Sequence, residues 1–228
     1  MQTVVVTGAG RGIGLGLARR FLRAGWRVFG THRDDAGMEA LAGIASQGEL
    51  HAFPLEVTDA DSVAALGARL ANETVDVLVH NAGVIGGRRQ DVGGMDYAAW
   101  LHAFDVNTLA PFRVTTALLP SLRRSPRPRV VTLSSQMGAL AGAGGGYYAY
   151  RSSKAAVNKV MQVLAGDLRR DGIVVCPVHP GWVRTDMGGA GAEISVEESA
   201  DGLFALIESL TPAHSGRFWT WEGKEHPW

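Results

Sequence analysis

Short apolar, β-branched runs alternate along this chain with longer stretches whose apolar residues recur at helical spacing. The runs lie near residues 3–8, 27–32, 50–57, 75–81, 129–135, 173–179 and 216–221. In Thr3-Val-Val-Val-Thr7 apolar side chains fall on both alternating positions, as in a parallel strand buried on both faces. Helical patterns fill the intervals, near 13–24, 35–47, 60–72, 96–122, 150–171 and 195–210. In the first, Ile13, Leu15, Leu17, Ala18, Phe21 and Leu22 recur at helical spacing. The alternation has no internal linker. It predicts one α/β domain over residues 1–228, a doubly wound, seven-stranded parallel sheet with helices on both faces. Ligands bind such sheets beyond the carboxyl ends of the strands, so the segments just after each strand are the places to look for chemistry.

The first of these is Gly8-Ala-Gly-Arg-Gly-Ile-Gly14. A strand, a glycine-rich turn and a helix start make a dinucleotide phosphate site, the mark of a Rossmann domain. The glycines let the backbone turn sharply and approach a pyrophosphate. The helix N-terminus presents free N–H groups and a positive dipole end. The spacing is Gly-x-x-x-Gly-x-Gly over Gly8, Gly12 and Gly14, with Arg11 and Ile13 among them.

Tyr150 and Lys154 stand four residues apart in a stretch that reads as helix. At that spacing both side chains leave one helix face, with Cβ atoms roughly 5–6 Å apart. A free phenol has a pKa of about 10, and an adjacent ammonium favours the phenolate and brings Tyr150 toward acid–base work. The chain holds 19 Arg and only 3 Lys, so a Lys here runs against its own habit. A compact ammonium can reach a ligand hydroxyl and a Tyr together, which a planar guanidinium does less well. Asn107 precedes Pro111 by four residues, so the helical bond to its carbonyl cannot form, and that acceptor needs another partner such as water.

Thr7-Gly-x-x-x-Gly-x-Gly14, Asn81-Ala-Gly83, Ser134-Ser135, Tyr150-x-x-x-Lys154 and Pro180-Gly181 together resemble the short-chain dehydrogenase/reductases, in order and approximate spacing, over essentially the whole chain. Tyr147 to Lys154 and His179 to Gly189 look like the C-factor-like and sniffer-type carbonyl reductase branch. The resemblance implies the strand order 3-2-1-4-5-6-7. It implies that Ser135, Tyr150 and Lys154 are catalytic, and that the Asn107 backbone holds a water in a proton relay. It carries Asn81, Ala82 and Gly83 over to the cofactor side, although His80 replaces the motif's first Asn; His80 itself reads as a structural histidine. Glu56-Val57 stands where the family places Asp-Val against adenine. Beyond Pro180-Gly181, Thr185 and Val183 match residues that hold the nicotinamide carboxamide. The separation of Ser135 from Tyr150 is 15 residues, about two longer than the family's common spacing, which leaves Ser134 open as the alternative donor. The excess is assigned to the glycine-rich run 139–146.

The second strand ends Gly30-Thr-His32-Arg33, without the acid that NAD enzymes place on the adenosine ribose. His32 takes that place. Arg33, aided by Arg11, would bind a 2′-phosphate, so NADP(H) is expected over NAD(H). Gly188, Gly189 and Gly191 suggest a short, mobile lid over residues 186–195. Met137, Leu140, Tyr147, Tyr148 and Trp182 are candidates for the pocket wall, and the aromatic tail from Phe218 to Trp228 could cover a pocket or a partner.

At 228 residues and 46% hydrophobic, one domain can bury a large core. Zero formal net charge leaves no nucleic-acid footprint. Arg123, Arg124, Arg127 and Arg129 read as a solvated loop among prolines. The single cysteine, Cys176, excludes an intramolecular disulfide and reads as a core residue. No His/Cys cluster has metal-ligand spacing, and no apolar run of about 18 residues marks a membrane span. The expectation is a soluble, cytoplasmic homodimer or homotetramer that reduces or oxidises a small carbonyl or alcohol. A nucleotide-binding signalling or sensor protein is the alternative. A nucleotide-sugar epimerase is disfavoured by the short C-terminal part and the glycine spacing.

Overall fold

The computed structural model describes residues 1–142 and 144–228. It contains seven parallel strands: β1 Thr3–Val6, β2 Arg27–His32, β3 Leu50–Pro54, β4 Val77–His80, β5 Arg129–Leu133, β6 Val174–His179 and β7 Trp219–Thr220. Their order is β3-β2-β1-β4-β5-β6-β7, the doubly wound order expected. Val5 pairs with Phe29 on one side and Leu78 on the other, which puts the reversal of strand order between β1 and β4. The Gly8 loop and Asn81 leave the sheet on either side of that crevice.

Helices α1 Gly12–Arg23, α2 Asp35–Ala42 and α7 Val196–Ser209 cover one face. Val4, Val6, Val79 and Val178 point into that layer. Helices α3 Ala60–Arg69, α5 Ala110–Leu122 and α6 Tyr148–Asp167 cover the other, over Val5, Leu78, Val130 and Val175. Alternate residues of one strand thus feed both layers, which is why these strands read as continuous apolar runs. Asp34, Asp59, Asp96 and Ser195 cap α2, α3, α4 (Tyr97–Phe104) and α7 with side-chain oxygens. Neither α1 nor α6 has such a cap.

Three segments differ from the sequence reading. Residues 96–122 are not one helix: a π-turn over Asp105–Leu109 separates α4 from α5. Pro111 has no N–H and its ring crowds the carbonyl four residues back, so the ladder slips by one, and the Ala110 N–H bonds to the Asp105 carbonyl. Arg129 is not solvated but fully buried on β5; its guanidinium donates to the Ile207 carbonyl at 2.9 Å and to Glu208 at 3.1 Å. Beyond β7 the chain turns back, with the His226 N–H on the Phe218 carbonyl. The Trp228 carbonyl then accepts from the Ala141 N–H at 2.8 Å, so the aromatic tail lies on the loop that follows β5. Within that loop Ala143, part of the proposed 139–146 insertion, lies outside the described residues. No helix among the described residues is long and apolar enough to cross a membrane.

Candidate active site

The phosphate loop is held open from behind. Gly8 and Gly12 have φ of +64° and +51°, where a Cβ is strained. A Cβ on Gly14 would strike the Asn81 amide and the Gly8 carbonyl. The Asn81 Nδ2 donates to the carbonyls of Thr7 (2.9 Å) and Gly8 (2.8 Å), and Thr31 Oγ1 accepts from the Gly8 N–H. Asn81 therefore shapes the loop, while Ala82 packs against Gly8. The first turn of α1, which includes Ile13 and Gly14, carries no acid and no side-chain cap, so its N–H groups stay available to an anion. The residues fit a dinucleotide pyrophosphate.

At the end of β2, His32 is buried and its Nδ1 lies 3.1 Å from the Asp34 carbonyl. The nearest acid, Asp34, is committed to capping α2 through the Gly37 N–H at 2.8 Å. Arg33 is exposed. Arg11 is exposed too and reaches Asp186 of the lid at 3.3 Å. At the end of β3, Glu56 turns one carboxylate oxygen onto the Thr58 N–H and hydroxyl, and the Val57 carbonyl is held by Arg113 at 3.0 Å.

Beyond β5 the two serines part. Ser134 is buried and donates to Asn158 Oδ1 at 2.5 Å, tying the strand to α6. Ser135 caps the following 3₁₀ turn (Gln136–Gly138), accepting from the Met137 N–H, and its hydroxyl faces the Tyr150 phenol. Burial pushes the Tyr150 phenol above its ordinary pKa, opposed by the Ser135 hydroxyl beside it. This corrects the expectation that Lys154 pulls it down. The Lys154 Nζ is turned onto the Leu133 carbonyl at 2.7 Å and lies 5.8 Å from the centre of the Tyr150 ring. Burial lowers Lys154 to about 8, so it remains an ammonium at neutral pH. A Cβ on Gly83 would stand 3.2 Å from Asn107 Oδ1 and 3.6 Å from Lys154 Nζ, so a glycine there keeps the space beside both open. The Asn107 amide exchanges two hydrogen bonds with the Val84 backbone, at 2.9 and 2.8 Å, and donates to Ser153 at 3.0 Å.

After β6, Pro180 accepts from the buried Ser199 hydroxyl, and Gly181 turns at φ +89°, where a Cβ would meet Ile194 and Trp221. Thr185 accepts from the Gly188 N–H at 3.1 Å, and Val183 pairs with Ile194. The lid is short, as expected, but tied rather than loose: Arg184 and Trp182 exchange backbone bonds with Ile194, and Trp182 Nε1 donates to the Gly188 carbonyl. Leu140, Tyr147, Tyr148, Trp182 and Met187 leave large apolar surface exposed around this end of the sheet, while Met137 is half-buried.

Comparison with known proteins agrees with this fold. The family described as short chain dehydrogenase matches residues 2–193. The chain belongs to the short-chain dehydrogenase family. It is 45% identical over 165 residues to C-signal of Myxococcus xanthus, covering 72% of this chain and 99% of that protein. The structure of carbonyl reductase Sniffer of D. melanogaster superposes with a TM-score of 0.92 at 28% identity, over 100% of both chains. A carbonyl reductase from Pseudomonas aeruginosa PAO1, solved in complex with NADP, gives 0.88 at 35% identity, again over 100% of both. These likenesses place this short-chain dehydrogenase in the C-factor-like and sniffer-type branch, and it is an oxidoreductase.

His80, where the family motif has Asn, is a structural residue of this short-chain dehydrogenase. It is buried, and its Nε2 lies 2.7 Å from Thr115 Oγ1, which itself donates to the Pro111 carbonyl. The imidazole therefore donates to Thr115, and burial lowers its pKa from 6.5 to about 3. Below pH 6.5 the unfolded chain takes up a proton that folded His80 refuses, so stability falls with falling pH across that window, by up to about 1.4 kcal/mol per pH unit. Melting temperatures measured from pH 7 to 5 should show a shallower fall in His80→Asn than in the wild type; equal slopes would assign the acid sensitivity to other groups, such as His179, which burial lowers to about 4. Sequence reasoning missed Thr31, Asp34 and Gln90, whose roles depend on partners far off in the chain or on the turn each one makes.

Proposed function

We propose that this short-chain dehydrogenase is an NADP(H)-dependent carbonyl reductase. The observation that carries the reading is the convergence of Ser135, Tyr150 and a buried Lys154 at the carboxyl end of the sheet, beside an uncapped helix N-terminus. A bound NADPH supplies the hydride. Ser135 donates to the substrate oxygen and shares the charge that develops there. Tyr150 gives that oxygen its proton. The raised pKa keeps the phenol protonated at neutral pH, the form an acid needs in the reductive direction. Lys154, with no carboxylate partner among the described residues, offers its remaining N–H donors to the ribose, and the Asn107 carbonyl, deprived by Pro111 of the donor four residues on, anchors the water that re-protonates Tyr150. Gly8, Gly12, Gly14 and Ile13 hold the pyrophosphate, Glu56 and Val57 flank the adenine, Asn81, Ala82, Gly83, Pro180 and Gly181 wall the cleft, and Val183 and Thr185 hold the carboxamide. The solved P. aeruginosa neighbour in complex with NADP supports the cofactor. Tyr97, Leu101, Leu109 and Phe112 leave apolar surface on the α4–α5 face and support a homo-oligomer.

The test is NADPH oxidation with a panel of aldehydes, ketones and quinones. Ser135→Ala should lower kcat by about 10²–10³-fold, the cost of one donor on a developing oxyanion. Ser134→Ala breaks a structural bond and should cost about 1–3 kcal/mol of stability with far less effect on kcat. The reverse order of kcat losses would move the donor to Ser134. C-signal, the relative named above, supports the second reading, a nucleotide-binding signalling protein. NADPH binding without turnover on any panel member would favour it.

A further inference from the structure

Helix α6 carries Tyr150 and Lys154, yet it starts without a cap. Its first residue is Tyr148; the preceding Tyr147 sits left-handed at φ 53° and its side chain bonds none of the helix N–H groups. Tyr150 is the third helical residue, so its N–H is one of those an α-helix leaves without an internal partner and an N-cap oxygen normally serves. That N–H is bonded at 3.2 Å to Oε1 of Gln90, from the loop between β4 and α4. Gln90 is buried, at 7% exposure. Its Nε2 donates to the carbonyls of Ile85 (2.7 Å) and Gly87 (3.0 Å), so the amide is fully engaged. The loop lies flat on the helix: Gly86 has φ +86°, and a Cβ there would run into those of Ala149 and Ala103. Two residues before Gly86, Val84 is bonded both ways to the Asn107 amide, which reaches Ser153, whose hydroxyl donates to the Tyr150 carbonyl at 2.9 Å. The Tyr150 backbone is gripped at its N–H by Gln90 and at its carbonyl by Ser153.

We propose that Gln90 is a positioning residue for Tyr150: it supplies from the β4–α4 loop the cap that α6 lacks, and so fixes the phenol's distance from Ser135. The proposal rests on the carbonyl-reductase reading for its effect on rate, and on the Gln90–Tyr150 bond alone for its structural part. Gln90→Met keeps the length and removes every polar atom. Its kcat should fall by about tenfold to a hundredfold, the cost of a misplaced catalytic group, while the Kd for NADPH stays within about twofold of the wild type. The deuterium isotope effect on kcat, with NADPH labelled at the transferred position, should rise, because chemistry becomes slower than release. Hydrogen exchange at the Tyr150 amide should speed up. A kcat within about twofold of the wild type, or a loss matched by lost NADPH affinity, would overturn the proposal. If Gln90→Met does not fold, Gln90→Glu decides. It keeps an acceptor for Tyr150 but sets a carboxylate against the Ile85 and Gly87 carbonyls, so kcat should drop at unchanged Kd, and a full wild-type kcat would overturn the role. A wild type that reduces no carbonyl defeats the functional reading; the capping role then stands or falls on Tyr150 amide exchange alone, and unchanged exchange in the variant overturns it.

Discussion

Tyr150→Phe should retain less than about a hundredth of the wild-type kcat and still bind NADPH. The substitution removes one oxygen and keeps the ring, the helix position and the Gln90 bond to the backbone N–H. What it deletes is the phenol oxygen that faces Ser135, on the ring beside the Lys154 ammonium. Ser135 can polarise a carbonyl but cannot replace the lost proton donor, because an aliphatic hydroxyl is a far weaker acid than a phenol. Retention of more than about a tenth of wild-type kcat would remove Tyr150 from the acid role.

The second large effect is on cofactor choice. The wild type should prefer NADPH over NADH by about tenfold to a hundredfold, the worth of charge-assisted hydrogen bonds to a 2′-phosphate at an exposed rim. Arg33 is exposed where that phosphate would sit, and the acid nearest to it, Asp34, is spent on the Gly37 N–H. His32→Asp with Arg33→Ala should reverse the preference, since it adds repulsion of the phosphate and removes the attraction. Titrating wild type and variant with both cofactors checks this. Equal wild-type affinities would show that Arg33 takes no part. Arg11 contributes less, because it is shared with Asp186 of the lid.

The parts of the site legible in the sequence are those built from local signals. Gly8, Gly12 and Gly14 follow a buried strand and open a helix, and each glycine answers to a backbone or close-packing demand that the structure bears out. The sheet order is what the family resemblance implies, and the facing of Tyr150 and Lys154 follows from their helical spacing. The illegible parts depend on partners far away in the chain. Gln90 meets Tyr150 across 60 residues, and nothing in its own loop is periodic. Arg129 sits in an arginine-rich run that reads as solvated, and the Ile207 carbonyl and Glu208, brought over it by α7, help make its burial tolerable. The direction of the Tyr150 pKa shift is illegible for a related reason: helix spacing shows that Lys154 is near, but not that Tyr150 is buried or that Leu133 holds the ammonium. The three lid glycines suggest looseness, whereas backbone bonds to Ile194 and the Trp182 side-chain bond to the Gly188 carbonyl tie the lid.

The central claim is that this chain moves a hydride from NADPH to a carbonyl carbon with Tyr150 supplying the proton. The most direct measurement uses NADPH deuterated at the transferred position, with mass spectrometry of the alcohol formed from a reactive ketone or quinone. The account predicts deuterium on the carbinol carbon with the wild type and almost none with Tyr150→Phe under the same saturation by NADPH. Binding of NADPH with no labelled alcohol from the wild type, or equal labelling by the two proteins, would contradict it.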